Sequence, residues 1–426
     1  MSCCNKNNNF EKVLEIGRPP NIKKLFPNSK ALIVSGKVID RAMIAKGKAM
    51  TIAANARNSF IMKGTLMAAQ RANAAIIIEI AKSESTYCQI GSWNLAVHVD
   101  QLCNELGITV PVAIHADHYG IKNEKDLEIA KVEIPSMFDA GITSIAIDAS
   151  HLPEDKNLLA NIELNKYVPA WAGLETEVGE IKGDQGLSTP KEAVFQIAGL
   201  NANGVFPDWI ALNNGTVHGL EASNAAGIQV ELTAEIHNKL AKYKMSGAQH
   251  GTSGNSSEKL REIAQKTNTT KANVATALQM ISWGLEVNDY GNATVKDGNF
   301  VKVKGKGADE EMWASAVTHA NEKGWKIGDY KKLNLAFENK FCGQSKEVRD
   351  RMAKDVEDFV YKMLVDVFNA KDTAPLAIDA ILKAGSHDLG AKVGRVEDPA
   401  EWTPAKITEK ASKLGVDRGP DGDFDD

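Results

Sequence analysis

Short apolar runs alternate with amphipathic stretches along most of the chain. Eight runs recur: TIAAN (51–55), AIIIEI (75–80), PVAIH (111–115), TSIAID (143–148), WAGLETEV (171–178), DWIALNN (208–214), YKMSGAQH (243–250) and KANVAT (271–276). The apolar ones lack polar alternation, as strands buried on both faces of a parallel sheet require. Between the runs the periodicity is helical. DLEIAKVEIPSMFDAG spaces its apolar residues at helical intervals and stops at Gly141, a residue suited to ending a helix. STPKEAVFQIAGL places Pro190 at the first helical position and Glu192 three residues after Thr189, the pattern of a capping box. SSEKLREIAQKTN predicts another short helix. Strand–helix units repeating at roughly 30-residue spacing predict an α/β chain folded as a (β/α)8 TIM barrel. A doubly wound open sheet produces the same alternation and is the competing arrangement.

Two regions lie outside this alternation. Residues 1–50 form an N-terminal extension with an apolar segment, ALIVSG, and a helix-like stretch around RAMIAKGKAM. Residues 51–290 are expected to be the catalytic barrel, and 291–426 a helical C-terminal extension packed on it. In that extension SKEVRDRMAKDVEDFVYKMLVDVFNA predicts a long amphipathic helix. Its stripe of Met352, Val356, Phe359, Met363 and Val367 fits core or subunit contact better than a ligand site. The acidic, glycine-rich end GVDRGPDGDFDD is expected to fray.

Composition narrows the partners. The chain is 43% hydrophobic and 25% charged, ordinary for a soluble globular protein. A net charge of −5 argues against a broad electrostatic grip on nucleic acid. No apolar run approaches the roughly 18 residues of a membrane span. MSCCNKNNNF has no hydrophobic segment for a signal peptide, so a cytoplasmic location is expected. The five cysteines are odd in number and lack CxxC spacing, which fits reduced thiols. Cys3 and Cys4 fall in a polar tail that reads as a disordered end rather than a metal or lipid site.

The C-terminal ends of barrel strands face one cleft. Asp117 and His118 follow the third run, Asp148 and His151 the fourth, and His218 the sixth; His250 ends the seventh. The fifth carries Glu175, Glu177 and Glu180, and the eighth Asn273 and Thr276. Three neutral imidazoles from different strands, with one open position, form the ligand set of a catalytic zinc. His118, His218 and His250 are the candidates. Any one alone is better explained as a hydrogen-bonded histidine near a helix N-terminus; three at matched positions favour the metal. The turns GTVHGL and HGTSGN add backbone N–H groups, at Gly219, Gly251 and Ser253, suited to a phosphate. In a straight strand Asp117 and His118 would face opposite sides, so both reach the cleft only where the strand turns. His115 shares the parity of Asp117 and is expected to orient the site rather than bind metal.

These segments resemble the class II, metal-dependent fructose-bisphosphate aldolases. VPVAIHADH, GITSIAIDASHLP, LETEVG, NGTVHG, HGTSG and KANVAT occur in that family's order over roughly residues 50–280. The resemblance implies a dimeric or tetrameric (β/α)8 enzyme that reversibly cleaves a phosphorylated ketose to dihydroxyacetone phosphate and an aldehyde. It implies Zn2+ on His118, His218 and His250, with Glu177 holding the metal in an alternative buried position. It makes Asp117 the acid/base on the substrate hydroxyl and Asn273 a stabiliser of the enediolate. Gly219, Gly251, Ser253 and Thr276 become the phosphate cradle, with Na+ or K+ nearby.

Three departures bear on the substrate. The family's glycine-rich loop ends in a glutamate that exchanges the dihydroxyacetone proton; here the loop is GEIKGDQGLSTP, with Lys182 for a glycine and Gln185 at the glutamate position. Glutamine is no base, so Asp184 or Glu180 must act, and Asp184→Asn should then abolish that exchange. The family's N-[IV]-D-T reads NVAT, with Ala275 for the aspartate. A serine expected near the second strand's end is Ala81, with Ser83 and Ser85 close by. A fructose-bisphosphate aldolase is the leading expectation. The alternatives are an aldolase for another ketose bisphosphate, such as tagatose 1,6-bisphosphate, and a non-catalytic zinc- and phosphosugar-binding relative.

Overall fold

The computed structural model describes residues 2–179, 186–216, 227–288 and 291–416. At its centre eight parallel strands close into a barrel in chain order. They are β1 (Thr51–Asn55), β2 (Ile76–Ala81), β3 (Val112–Gly120), β4 (Ser144–Asp148), β5 (Gly173–Val178), β6 (Trp209–Leu212), β7 (Ser246–Gln249) and β8 (Thr269–Val274). β8 pairs back onto β1, which excludes the open sheet and leaves no barrel edge. The capping box forms: the Thr189 hydroxyl accepts from the Glu192 N–H, and the Glu192 carboxylate from the Thr189 N–H. Helix Glu124–Asp139 stops at Ala140, with Gly141 at φ +108 just beyond.

Some boundaries differ from the apolar pattern, for physical reasons. β8 starts at Thr269, two residues before KANVAT, because buried partners satisfy the threonine hydroxyls. Thr270 donates to Asp40 Oδ1 (2.8 Å) and accepts from Trp209 Nε1 (2.8 Å). β7 is only four residues, since Lys244 takes a left-handed conformation that ends the preceding turn. ALIVSG contributes a single bridge, Ile33 to Val112. The helix-like stretch near residue 41 begins earlier, at Gly36, where the Ser35 hydroxyl caps it by accepting from the Lys37 N–H.

That helix, Gly36–Lys46, floors the barrel at the N-terminal ends of the strands. A Cβ at Gly36 would lie 2.6 Å from Ser144 Oγ and 3.1 Å from the Trp209 ring, so only glycine allows this approach. Buried Asp40 accepts from Lys392 Nζ (2.9 Å), which also reaches the Asp208 carbonyl and Ser246 Oγ. Lys392 thereby ties the C-terminal segment to the floor.

Helix Lys346–Lys362 completes the outer ring. It packs along helix Ser59–Ala72 and helix Thr276–Trp283, and its π-helical continuation Met363–Val367 reaches helix Ser257–Lys266. The contact is close enough that a Cβ at Gly64 would lie 2.4 Å from the Ala353 carbonyl oxygen. Met352, Val356, Met363 and Val367 of the predicted stripe are buried. Trp283, Trp313, Phe337 and Phe341 form a second apolar cluster over the segment between. Among the described residues no helix is long and apolar enough to cross a membrane.

Candidate active site

β3 does not run straight to its end. Its register against β4 shifts between Ala116 and Tyr119, and His118 takes φ +40, in the left-handed region. A bulge of this kind re-aims side chains, and for a non-glycine residue it costs on the order of 1–3 kcal/mol. Both Asp117 and His118 thereby reach one cluster, which resolves the parity problem. His118 Nε2 lies 2.6 Å from His250 Nδ1, and His118 Nδ1 lies 3.0 Å from Glu177 Oε1 and 3.6 Å from Asp148 Oδ2. His250 Nε2 lies 2.8 Å from Glu175 Oε1. Asp117 Oδ1 accepts from Asn273 Nδ2 (2.8 Å), and Asp117 Oδ2 from Asn55 Nδ2 (3.3 Å). Asn273 Oδ1 is buried without a hydrogen-bond partner among the described residues.

Charges at this depth are unevenly distributed. Burial raises the Asp117 carboxyl, but His118 and Lys271 outweigh it and hold the group below its ordinary range. Burial likewise opposes ionisation of Glu175, and the Lys271 ammonium and His250 overcome it. Glu177 goes the other way: burial and then repulsion from Asp148 push it well above the carboxylate range. Burial, and then His118, lowers His250 from the ordinary histidine range. His115 is pushed down to about 3 by burial and then by Lys271. Its Nδ1 meets Ser144 Oγ at 2.5 Å, beneath the cluster, so it supports the site from below.

The donors fit a metal. Ligand atoms of Asp117, His118 and His250 lie within 4.8 Å of one another, as do those of His118, Asp148 and Glu177. Hydrogen positions follow from the acceptors. Glu175 accepts from His250 Nε2–H, so His250 Nδ1 presents its lone pair to His118 Nε2. His118 Nε2–H can then donate across that 2.6 Å gap. A divalent cation held by the two imidazoles would take that proton's place, with Glu177 behind His118 and Glu175 behind His250 as metal-bound histidines require.

A family model described as "Fructose-bisphosphate aldolase class-II" matches residues 37–324, more than half of the chain. The chain belongs to this family. Among curated relatives, the fructose-bisphosphate aldolase of Mycoplasma pneumoniae is 33% identical over 189 residues, 43% of this chain. That match spans 60% of the relative's own length. The fructose-bisphosphate aldolase of Streptococcus pneumoniae serotype 4 is 30% identical over 231 residues, covering 53% of this chain and 73% of the relative. In fold, the chain resembles the YdjI aldolase from Escherichia coli K12, with TM-score 0.54 and 15% identity over 80% of this chain and 99% of that one. It also resembles the fructose-bisphosphate aldolase from Campylobacter jejuni, with TM-score 0.53 and 17% identity over 80% and 97%.

In this class II family member the structure brings together Asp117, His118, Glu177, His250 and Asn273. Gly251, at φ +56, directly follows His250. Ser253 Oγ accepts from the Ala277 N–H at 3.4 Å, which sets it beside the helix that Thr276 begins. Asp184, His218 and Gly219 lie outside the described residues, as do Glu180, Lys182 and Gln185. Arg351 donates to Gly307 O and Asp309, and Arg395 lies beside Gly204. Sequence reasoning passed over Asn55, Glu79 and Lys271. The signal was present for two of them: Glu79 and Lys271 are charges inside strand-like runs.

Proposed function

We propose that this chain is a metal-dependent aldolase that reversibly cleaves fructose 1,6-bisphosphate to dihydroxyacetone phosphate and glyceraldehyde 3-phosphate, a step of glycolysis and gluconeogenesis. The observation that carries the reading is the β3 bulge, which sets Asp117 and His118 on one cluster with His250 and Asn273. His118, His250 and His218 are the proposed zinc ligands, and Glu177 with Asp148 the alternative position. When bound, zinc supplies Lewis-acid stabilisation of the negative charge that develops on the ketose carbonyl oxygen. Asp117, held ionised, takes the C4 hydroxyl proton as the C3–C4 bond breaks and returns it in the synthetic direction. Asn273 offers its open Oδ1 to a substrate hydroxyl. Gly219, Gly251, Ser253 and Thr276 hold a phosphate, with Na+ or K+ beside them, and Asp184 exchanges the dihydroxyacetone proton. A homodimer or homotetramer in the cytoplasm completes the proposal.

Ala275, where the family pattern has an aspartate, favours a second reading: an aldolase for a ketose bisphosphate of other configuration, such as tagatose 1,6-bisphosphate. The deciding assay is cleavage of both sugars, with EDTA and after zinc is restored. Zinc-restored cleavage of fructose 1,6-bisphosphate supports the first reading; preference for the tagatose ester supports the second. Absence of any cleavage by zinc-loaded protein leaves a zinc- and phosphosugar-binding role.

A further inference from the structure

Beneath the metal-capable cluster lies a fully buried ammonium. Lys271 Nζ, on β8, sits 2.8 Å from Glu175 Oε2, 3.3 Å from Glu79 Oε2 and 3.8 Å from Asp117 Oδ1. All four side chains are almost wholly buried, so none shares its charge with water. The two oxygens of Glu175 are divided: Oε2 faces Lys271 and Oε1 faces His250 Nε2 at 2.8 Å. A second donor set, Glu79, His115 and Asp117, also lies close enough to hold a metal. The ammonium stands next to two of its three members, where it provides the positive charge that such a set otherwise draws from an ion.

We propose that Lys271 is a positioning residue with two tasks: through Glu175 it fixes the His250 tautomer that presents Nδ1 to the metal, and from below it anchors the Asp117 carboxylate. This rests on the metal-aldolase reading above. The physical requirement is strict. Glu175 accepts from His250 Nε2–H with one oxygen while its other oxygen holds Lys271, and a fully buried carboxylate needs such a compensating cation. Lys271 is the cation nearest to it among the described residues. Without it Glu175 loses the contact that turns its Oε1 toward His250, and the imidazole loses the fixed acceptor that selects its tautomer. Groups that orient a metal-bound histidine typically change metal affinity by about 10–100-fold when lost.

The test measures zinc affinity by chelator competition, together with the visible spectrum of the cobalt-loaded protein, for wild type, Lys271→Met, Lys271→Arg and Glu175→Gln. Wild type should bind one zinc per chain. Lys271→Met and Glu175→Gln should each weaken binding by about 10–100-fold and alter the cobalt spectrum. Lys271→Arg, which keeps the charge, should recover part of the loss. Wild-type affinity and an unchanged spectrum in folded Lys271→Met would overturn the proposal. Should Lys271→Met not fold, near-isosteric Glu175→Gln decides by the same criteria. Failure of wild type itself to bind zinc would sink the metal-aldolase reading instead, so the two failures are distinguishable.

Discussion

His237 should make this fold acid-sensitive well above the pH at which its carboxylates protonate. The residue lies in the last turn of helix Val230–Lys239 and is 2% exposed. Its Nδ1 accepts the Asn268 N–H at 3.1 Å, so the ring hydrogen must be on Nε2. The ring also lies so close to β7 that a Cβ on Gly247 would stand 2.5 Å from it. A second ring proton would point at the Asn268 N–H and place an unpaired charge in the core. Burial, and secondarily Lys392, hold the group down from 6.5 to about 4. The sign follows directly. Between these values the unfolded chain binds the extra proton and the folded one does not. Stability is therefore complete above about pH 6.5, falls as pH drops toward 4, and has no further dependence on this group below that. The whole window corresponds to about 3 kcal/mol, of which about 2 is lost by pH 5. The comparison is denaturant unfolding of wild type and His237→Asn at about pH 7.5 and about pH 5. Asparagine can keep an acceptor for the Asn268 N–H but cannot titrate. Other buried histidines, His115 included, contribute to both proteins and cancel. The wild-type loss should exceed the variant's by about 2 kcal/mol; parallel losses would refute the reasoning.

Three further outcomes follow from the same contacts. Asn55→Ala removes the amide that donates to both Glu84 (2.9 Å) and Asp117 (3.3 Å). Glu84 keeps Arg57 and the Ala81 N–H, so the loss falls on Asp117. A hydrogen bond to a charged group is worth about 1.5–3 kcal/mol, and this long one should cost kcat about tenfold. An unchanged kcat would remove Asn55 from the positioning of Asp117. Asp117→Asn should lower turnover by about 10²–10⁴-fold; measured in parallel, zinc content should persist, and its loss would instead assign Asp117 to metal binding. Gly64→Ala forces a methyl toward the Ala353 carbonyl and Val356, and should destabilise by about 1–3 kcal/mol or more. Wild-type stability in urea would mean that helix Lys346–Lys362 is not seated against helix Ser59–Ala72.

The barrel was legible because its strands are buried on both faces and so read as apolar runs. The rule fails where a polar residue finds its partner inside. Thr269 and Thr270 read as loop residues, although Asp40 and Trp209, distant in sequence, satisfy Thr270. His118 and His250 could be singled out because they recur at strand ends as a set, whereas either alone reads as a hydrogen-bonded histidine; the structure places them 2.6 Å apart. That Asp117 and His118 share a cleft required β3 to turn, as their parity implied; that a bulge with His118 at φ +40 makes the turn was not legible. Glu79 and Lys271 mark a different limit. Each is a charge in the middle of a strand, unfavourable alone and acceptable only opposite the other. Glu79 is pushed well above its ordinary range by burial and then by Asp117, despite Lys271. One ammonium thus stands among three carboxyl groups, those of Glu79, Asp117 and Glu175. Such a pairing spans β2, β3, β5 and β8, and only closure of the barrel brings those strands onto one axis.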